Sequence, residues 1–162
     1  MPAPFDPKRI LRALSKRGVL YILVGATAAR LQGFPRLTAD ADIAPSADPD
    51  NLKRLAAALR DLHAQVYTES VPEGLPFSCD AKTLVGANIW NLTTDAGRLD
   101  LIFKPSGTQG YDDLLKSAVT FQAFGIELRA ASLEDILRSK LASNRPQDRQ
   151  DVVILTEMLK RR

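Results

Sequence analysis

The stretch YILVGATAARLQGFPRLTADADIAP, residues 21–45, decides the fold. It begins inside residues 19–24, a continuous β-prone run with the pattern of a central strand buried on both faces, and Gly25 ends that run. Gly25 and Ala26 make a small-residue turn, residues 27–32 read as a short helix, and Gly33 stops it. Phe34-Pro35 is a turn, and residues 39–44 form a second short strand carrying Asp40 and Asp42. Side chains two apart in a strand leave from one face, so two ionised carboxylates there repel and call for something positive nearby.

Working outward, Asp6 and Pro7 start an amphipathic helix with Ile10, Leu11 and Leu14 on one stripe, ended by Gly18. Beyond the stretch, Ser46 or Asp48 caps a helix with Pro49 in its first turn, running over about 50–62 with Leu52, Leu55, Ala56, Leu59 and Leu62 facing inward. Strands are predicted at 65–68, 87–93, 98–103, 119–123 and 126–129. Asp95-Ala96-Gly97 is a hairpin signal that makes the second and third of these antiparallel neighbours. Ser132 with Asp135 three residues on resembles a capping box, before a helical stripe of Leu133, Ile136, Leu137 and Leu141. Pro146 breaks that helix and starts a last one carrying Val152, Val153, Leu155 and Leu159.

The 162 residues, 45% hydrophobic and 25% charged, suit one globular domain and exclude disordered and coiled-coil classes. The expected architecture is α+β, a mixed β-sheet flanked by helices, with a core over about 18–130 and C-terminal helices over about 132–162 packed on it. A net charge of +3 permits a polyanionic partner without demanding one. The single Cys79 forms no intrachain disulfide, and MPAPFDPKRILRALSKRG lacks the apolar segment of a signal peptide, so a cytoplasmic location is expected. Runs such as VLYILVGATAA are too short to span a bilayer, so no membrane partner is expected.

Each part of the central stretch has a job in handling a nucleoside triphosphate. Gly25 and Ala26 let a phosphate approach the backbone N–H groups at the following helix N-terminus. Asp40 and Asp42 supply the oxygen ligands that Mg²⁺ prefers, and Mn²⁺ takes the same set. Two ions that clamp both oxygens of an in-line displacement need a third carboxylate, and Asp100 is the candidate. It stands in an apolar strand where an inward aspartate is expensive unless metal-bound or paired, for example with Arg98. Arg36 and Thr38 either order the loop before the strand or touch substrate phosphate, and Lys104 could face the nucleotide or the acceptor. Lys140 lies on the polar side of its helix as a mobile point charge, and Arg145 could bridge carboxylates. His63 reads as a surface residue at a helix end, and Cys79 and Trp90 suggest no chemistry.

The turn at Gly25-Ala26, followed after 13 residues by Asp40-Ala41-Asp42-Ile43 and later by a strand aspartate, resembles the nucleotidyltransferase superfamily related to DNA polymerase β. Ala26 stands where that family usually carries Gly or Ser, which removes a hydroxyl ligand to phosphate. More narrowly, Gly33, Arg36, Thr38, Asp40 and Asp42, joined to Leu133-Glu134-Asp135-Ile136 and to Lys140, Arg145, Pro146, Asp148 and Asp151, resemble the AbiEii-like minimal nucleotidyltransferases, the MenT toxins among them. The resemblance implies that Gly25, Ala26, Thr27, Arg36 and Thr38 border the nucleotide and that Lys140 contacts its triphosphate. It also implies that Asp151 helps hold that lysine and the metal site, with Asp148 and Arg145 in support.

Two functions follow as expectations. The first is Mg²⁺-dependent transfer of a nucleoside monophosphate from an NTP to an acceptor, with Asp40, Asp42, Asp100 and Lys140 catalytic. The acceptor would be RNA, such as a tRNA 3′ end, or a protein hydroxyl, and the chain would be the toxin-like component of a toxin–antitoxin system with a cognate antitoxin as partner. Lys8, Arg9, Arg12, Lys16 and Arg17 on the first helix form either an RNA-phosphate contact or an ordinary solvated face. The second is an inactive module of the same fold that binds a partner protein.

Overall fold

The computed structural model describes residues 2–162. Asp6 caps α1 (Pro7–Lys16) by accepting from the Arg9 N–H, and Ile10, Leu11 and Leu14 lie buried along one face. The chain then runs through β1 (Tyr21–Val24), α2 (Gly25–Leu31), β2 (Asp40–Pro45) and α3 (Pro49–Asp61). Asp48 rather than Ser46 caps α3. There follow β3 (Gln65–Val66), α4 (Ala81–Leu84), β4 (Ile89–Thr94), β5 (Gly97–Ile102), α5 (Tyr111–Leu115), β6 (Val119–Ala123), β7 (Ile126–Ala130), α6 (Leu133–Ser143) and α7 (Pro146–Lys160).

The strands form one mixed sheet of seven, in the order β3-β4-β5-β2-β1-β7-β6, flanked by helices as expected. β1 and β2 are antiparallel, while β2 and β5 are parallel, so β2 sits at the centre. Strand alternation turns Leu23, Ala41, Ile43, Leu92, Leu99 and Leu101 into one fully buried face that shares its core with the apolar stripes of α1 and α3. The opposite face carries Val24, Asp40, Asp42, Asp100 and Ile102. The hairpin at Asp95-Ala96-Gly97 joins β4 and β5 antiparallel, with Thr94 opposite Gly97.

Several details depart from the sequence reading. β1 begins at Tyr21 rather than residue 19, because the Val19 N–H still donates to the Leu14 carbonyl at the end of the α1 turn. β3 spans two residues instead of four, although the Tyr67 N–H continues the ladder to the Asn91 carbonyl at 2.9 Å. The short helices α4 and α5 arise where no element is predicted. Leu141 and Val153, expected on buried stripes, are 58% and 63% exposed. Leu133, Ile136 and Leu155 of those stripes are buried as expected, and the helices also turn Lys140, Ser143, Asp148 and Asp151 inward, where they line a cleft. Among the described residues no helix is long and apolar enough to cross a membrane.

Candidate active site

Register assembles the acidic cluster. In the parallel pair β2–β5, Asp42 stands opposite Asp100 and Asp40 opposite Arg98, so three carboxylates share one face and offer oxygen atoms within 4.8 Å of one another. Burial is the largest cause that pushes the Asp42 carboxyl up to about 8, with the charges of Asp40 and Asp100 adding to it and Lys140 opposing. Asp100 is also raised, burial outweighing the relief from Arg98. The Arg98 Nη2 donates to Asp100 Oδ1 at 3.1 Å while its guanidinium lies 3.6 Å from the Tyr67 ring centre. The pairing with Arg98 and the convergence with Asp40 and Asp42 therefore coexist at Asp100. Hard oxygen donors this close, and short of compensating positive charge, fit a divalent cation such as Mg²⁺ or Mn²⁺.

The turn before the acidic strand serves that cluster directly. Gly25 has φ +65°, and a Cβ there would sit 2.2 Å from Asp42 Oδ2, so the carboxylate fills the space a side chain would take. Gly25→Ala is expected to displace Asp42 and to weaken Mn²⁺ affinity by about tenfold to a hundredfold, read by calorimetric titration. Thr27 and Thr38 brace the same strand: their hydroxyls donate to the Asp40 carbonyl at 3.1 and 2.7 Å. Both border an apolar hollow with Leu11, Leu37 and Phe124, away from the cleft, and thus act as buttresses of Asp40. Thr38→Val should lower stability by about 1 kcal/mol, measurable in a denaturant melt.

A cleft of about 650 Å³ opens beside the carboxylates. It is lined by Gly25, Ala26, Asp40 and Asp42, by a charged wall that includes Arg36, Lys140 and Arg145, and by the apolar Ile89, Ile102 and Pro105. The charged wall is an alternating chain. Arg36 lies 2.7 Å from Asp151, Lys140 Nζ lies 3.2 Å from Asp151 and 3.5 Å from Asp148, and Arg145 Nε lies 3.0 Å from Asp148. Lys140 is thus a held, largely buried ammonium, 16% exposed, rather than the mobile surface charge expected. Arg36 orders its loop through Asp151 and borders the cleft at the same time. Burial alone would raise Asp148, but hydrogen bonds from Arg145 and Ser143 outweigh it and hold the carboxyl well below the usual range.

Other candidates fall outside the cleft. Lys104 borders a separate hollow with Asp48 and Asp112. His63 is exposed and contacts Asp95. On α1, Arg9 reaches Asp95, Arg12 donates to the Phe124 carbonyl and Arg17 pairs with Asp61, which makes much of this basic face a set of structural ties. Sequence reasoning missed Tyr67 and Ser143. The spacing Asp148-x2-Asp151-x3-Leu155 did carry a signal, since it puts two carboxylates on the buried face of one helix.

No protein-family model matches the chain, and no curated protein matches it. Among solved structures it is similar to a crystal structure from Thermotoga maritima described as a "putative nucleotidyltransferase", with 18% identity, a TM-score of 0.58, and coverage of 99% of this chain and 98% of that one. The fold is nucleotidyltransferase-like. On it, the acidic cluster occupies the central strands, and the charged wall comes from α6, the turn into α7 and, through Arg36, the loop before β2.

Proposed function

We propose that this chain is a divalent-cation-dependent nucleotidyltransferase that moves a nucleoside monophosphate from an NTP to an acceptor hydroxyl and releases pyrophosphate. The observation that carries this reading is the convergence of Asp40, Asp42 and Asp100 on adjacent strands beside a cleft with a cationic wall. Asp40, Asp42 and Asp100 would hold Mg²⁺. The bound cation supplies neutralisation of charge on the triphosphate and on the reacting oxygens. Lys140, Arg36 and Arg145 turn part of their hydrogen bonding from Asp151 and Asp148 toward the phosphates. The N–H groups at Gly25 and Ala26 take the remaining phosphate oxygens without help from a side-chain hydroxyl. Asp100 accepts the proton of the attacking hydroxyl, and alignment and preorganised charge provide most of the rate.

The motif resemblance supports an AbiEii-like, MenT-type member acting in the cytoplasm, with a toxin-like role beside a cognate antitoxin and an RNA or protein hydroxyl as acceptor. A partner-binding module without turnover is the weaker reading, because such a module would gain stability by losing the clustered carboxylates that push Asp42 up to about 8. The test is to incubate the chain with each α-labelled NTP, Mg²⁺, and cellular RNA or protein. Wild type should transfer label and Asp42→Ala should not; label transfer that persists in the variant overturns the assignment.

A further inference from the structure

Away from the cleft, the surface holds an apolar hollow of about 360 Å³, set between the start of α1, the end of α2, the loop before β2 and the turn from β6 to β7. Phe5, Leu11, Leu31 and Leu128 line it, and so do Leu37 and Phe124, which are 76% and 38% exposed. Thr27 and Thr38 also border it, but their hydroxyls already donate to the Asp40 carbonyl. Leu37 is presented by anchored neighbours, since Arg36 is tied to Asp151 on one side and Thr38 to Asp40 on the other. Apolar side chains held outward on fixed backbone lose little freedom when something docks on them, which marks a contact surface.

The charge at the rim selects the occupant. Arg30 is part of the lining, with its Nη1 3.5 Å from the carbonyl of the Arg36-Leu37 peptide. Arg12 stands at the Phe124 side: its Nε donates to the Phe124 carbonyl at 2.9 Å, and its Nη2 lies beside Gly125. Both are exposed, and among the described residues neither pairs with a carboxylate, whereas Arg9 and Arg17 of α1 are bound to Asp95 and Asp61. Lys8, one turn before Arg12 on α1, is a third exposed cation. Of the neighbouring carboxylates, Asp6 accepts from the Arg9 N–H at the start of α1, and Glu127 leaves β7 on the face opposite Leu128.

Two guanidiniums at separate points of an apolar rim call for a ligand with an apolar group and more than one anion around it. A fatty acid brings one carboxylate. A nucleic acid brings phosphates, but its bases would meet hydrocarbon and no free hydrogen-bonding group, because Thr27 and Thr38 are engaged. A polypeptide with a large apolar residue between acidic ones meets both needs. We propose that this hollow is a docking site for an acidic segment of a partner protein, with a leucine or phenylalanine seated against Leu37 and Phe124 and flanking Asp or Glu side chains on Arg12 and Arg30. The surface lies away from the cleft, so the proposal stands independently of the transferase reading.

The test measures binding of fluorescein-labelled synthetic peptides to the full chain by anisotropy. The peptides carry a Leu-Phe pair flanked by glutamates, the same pair flanked by lysines, or Ser-Ser flanked by glutamates. The glutamate-flanked Leu-Phe peptide should bind about tenfold more tightly than either of the others. Leu37→Asp should weaken that binding about tenfold, and Arg12→Glu with Arg30→Glu should narrow or reverse the preference between the two flanks. All three side chains are exposed, so the variants should melt close to wild type, and Arg30→Glu alone carries the charge test if the double variant does not fold. Binding that ignores the flanking charge, binding that Leu37→Asp leaves unchanged, or no binding of any peptide overturns the proposal. Saturable binding of decanoate or total tRNA that Leu37→Asp abolishes, with peptides unbound, overturns it in favour of a lipid or a nucleic acid. Self-association in sedimentation that Leu37→Asp abolishes overturns it in favour of a second copy of this chain.

Discussion

Asp42→Asn should abolish nucleotidyl transfer, by about three orders of magnitude or more, and yet make the cation-free protein more stable. Both effects come from one cause. Asp42 lies against Gly25 between Asp40 and Asp100, where burial and like charge push its carboxyl up to about 8. In the unfolded chain it titrates near the ordinary value of about 3.9. A group raised on folding contributes stability below its unfolded pKa and loses it as pH rises through the folded value. Cation-free wild type should therefore melt progressively lower between about pH 4 and pH 8, by on the order of 5 kcal/mol, and the neutral amide should flatten that slope. Mg²⁺ reverses the sign, because the ionised cluster is the form that binds it, so its stabilising effect should grow with pH in wild type and vanish in Asp42→Asn. Thermal melts in EDTA and in Mg²⁺ across this range check both halves; wild-type melting that ignores both pH and cation would contradict the cluster.

This coupling explains which parts of the site were legible in the sequence. Asp40 and Asp42 were readable because strand period two is local, and the Asp95-Ala96-Gly97 turn fixed β4 against β5 with similar economy. The parallel pairing of β2 with β5, which puts Asp100 opposite Asp42, is non-local and was not legible; Asp100 itself was named only from the chemistry that needs a third carboxylate. The role of Gly25 was half legible: small size was evident, but the group filling the space is Asp42 itself. On α6 and α7 a search for apolar stripes chose Leu141 and Val153, because it does not count carboxylates as inward residues. Asp148 and Asp151 face inward since Lys140, Arg36 and Arg145 neutralise them there, a tertiary condition that helical spacing alone does not reveal. Thr27 was placed at the nucleotide by its position in the motif, and Thr38 either there or in ordering the loop; the hydroxyls of both donate to the Asp40 carbonyl, a contact that spacing does not reveal.

The same charged wall yields the largest expected loss of stability. The Asp148 side chain is 2% exposed and accepts from Ser143, from the backbone and side chain of Arg145, and from Lys140. It joins the end of α6 to the first turn of α7, where Asn144 adopts the left-handed conformation that reverses the chain. Asp148→Ala leaves Ser143 and Lys140 short of their acceptor in a buried corner and should cost about 3 kcal/mol, or about 10 °C in melting temperature. Because the carboxyl is held below its ordinary range, its contribution is present above about pH 4 and lost as pH falls, so the variant's deficit should shrink in acid. Lys140→Met separates fold from function at this corner. Asp148 keeps Arg145 and Ser143, and Asp151 keeps Arg36, so stability should change far less than in Asp148→Ala. The ammonium facing the triphosphate is gone, however, and KM for the NTP should rise by about a hundredfold. Steady-state kinetics and melts on the two variants give opposite orders of severity if Lys140 serves the substrate, and the same order if it serves only the corner.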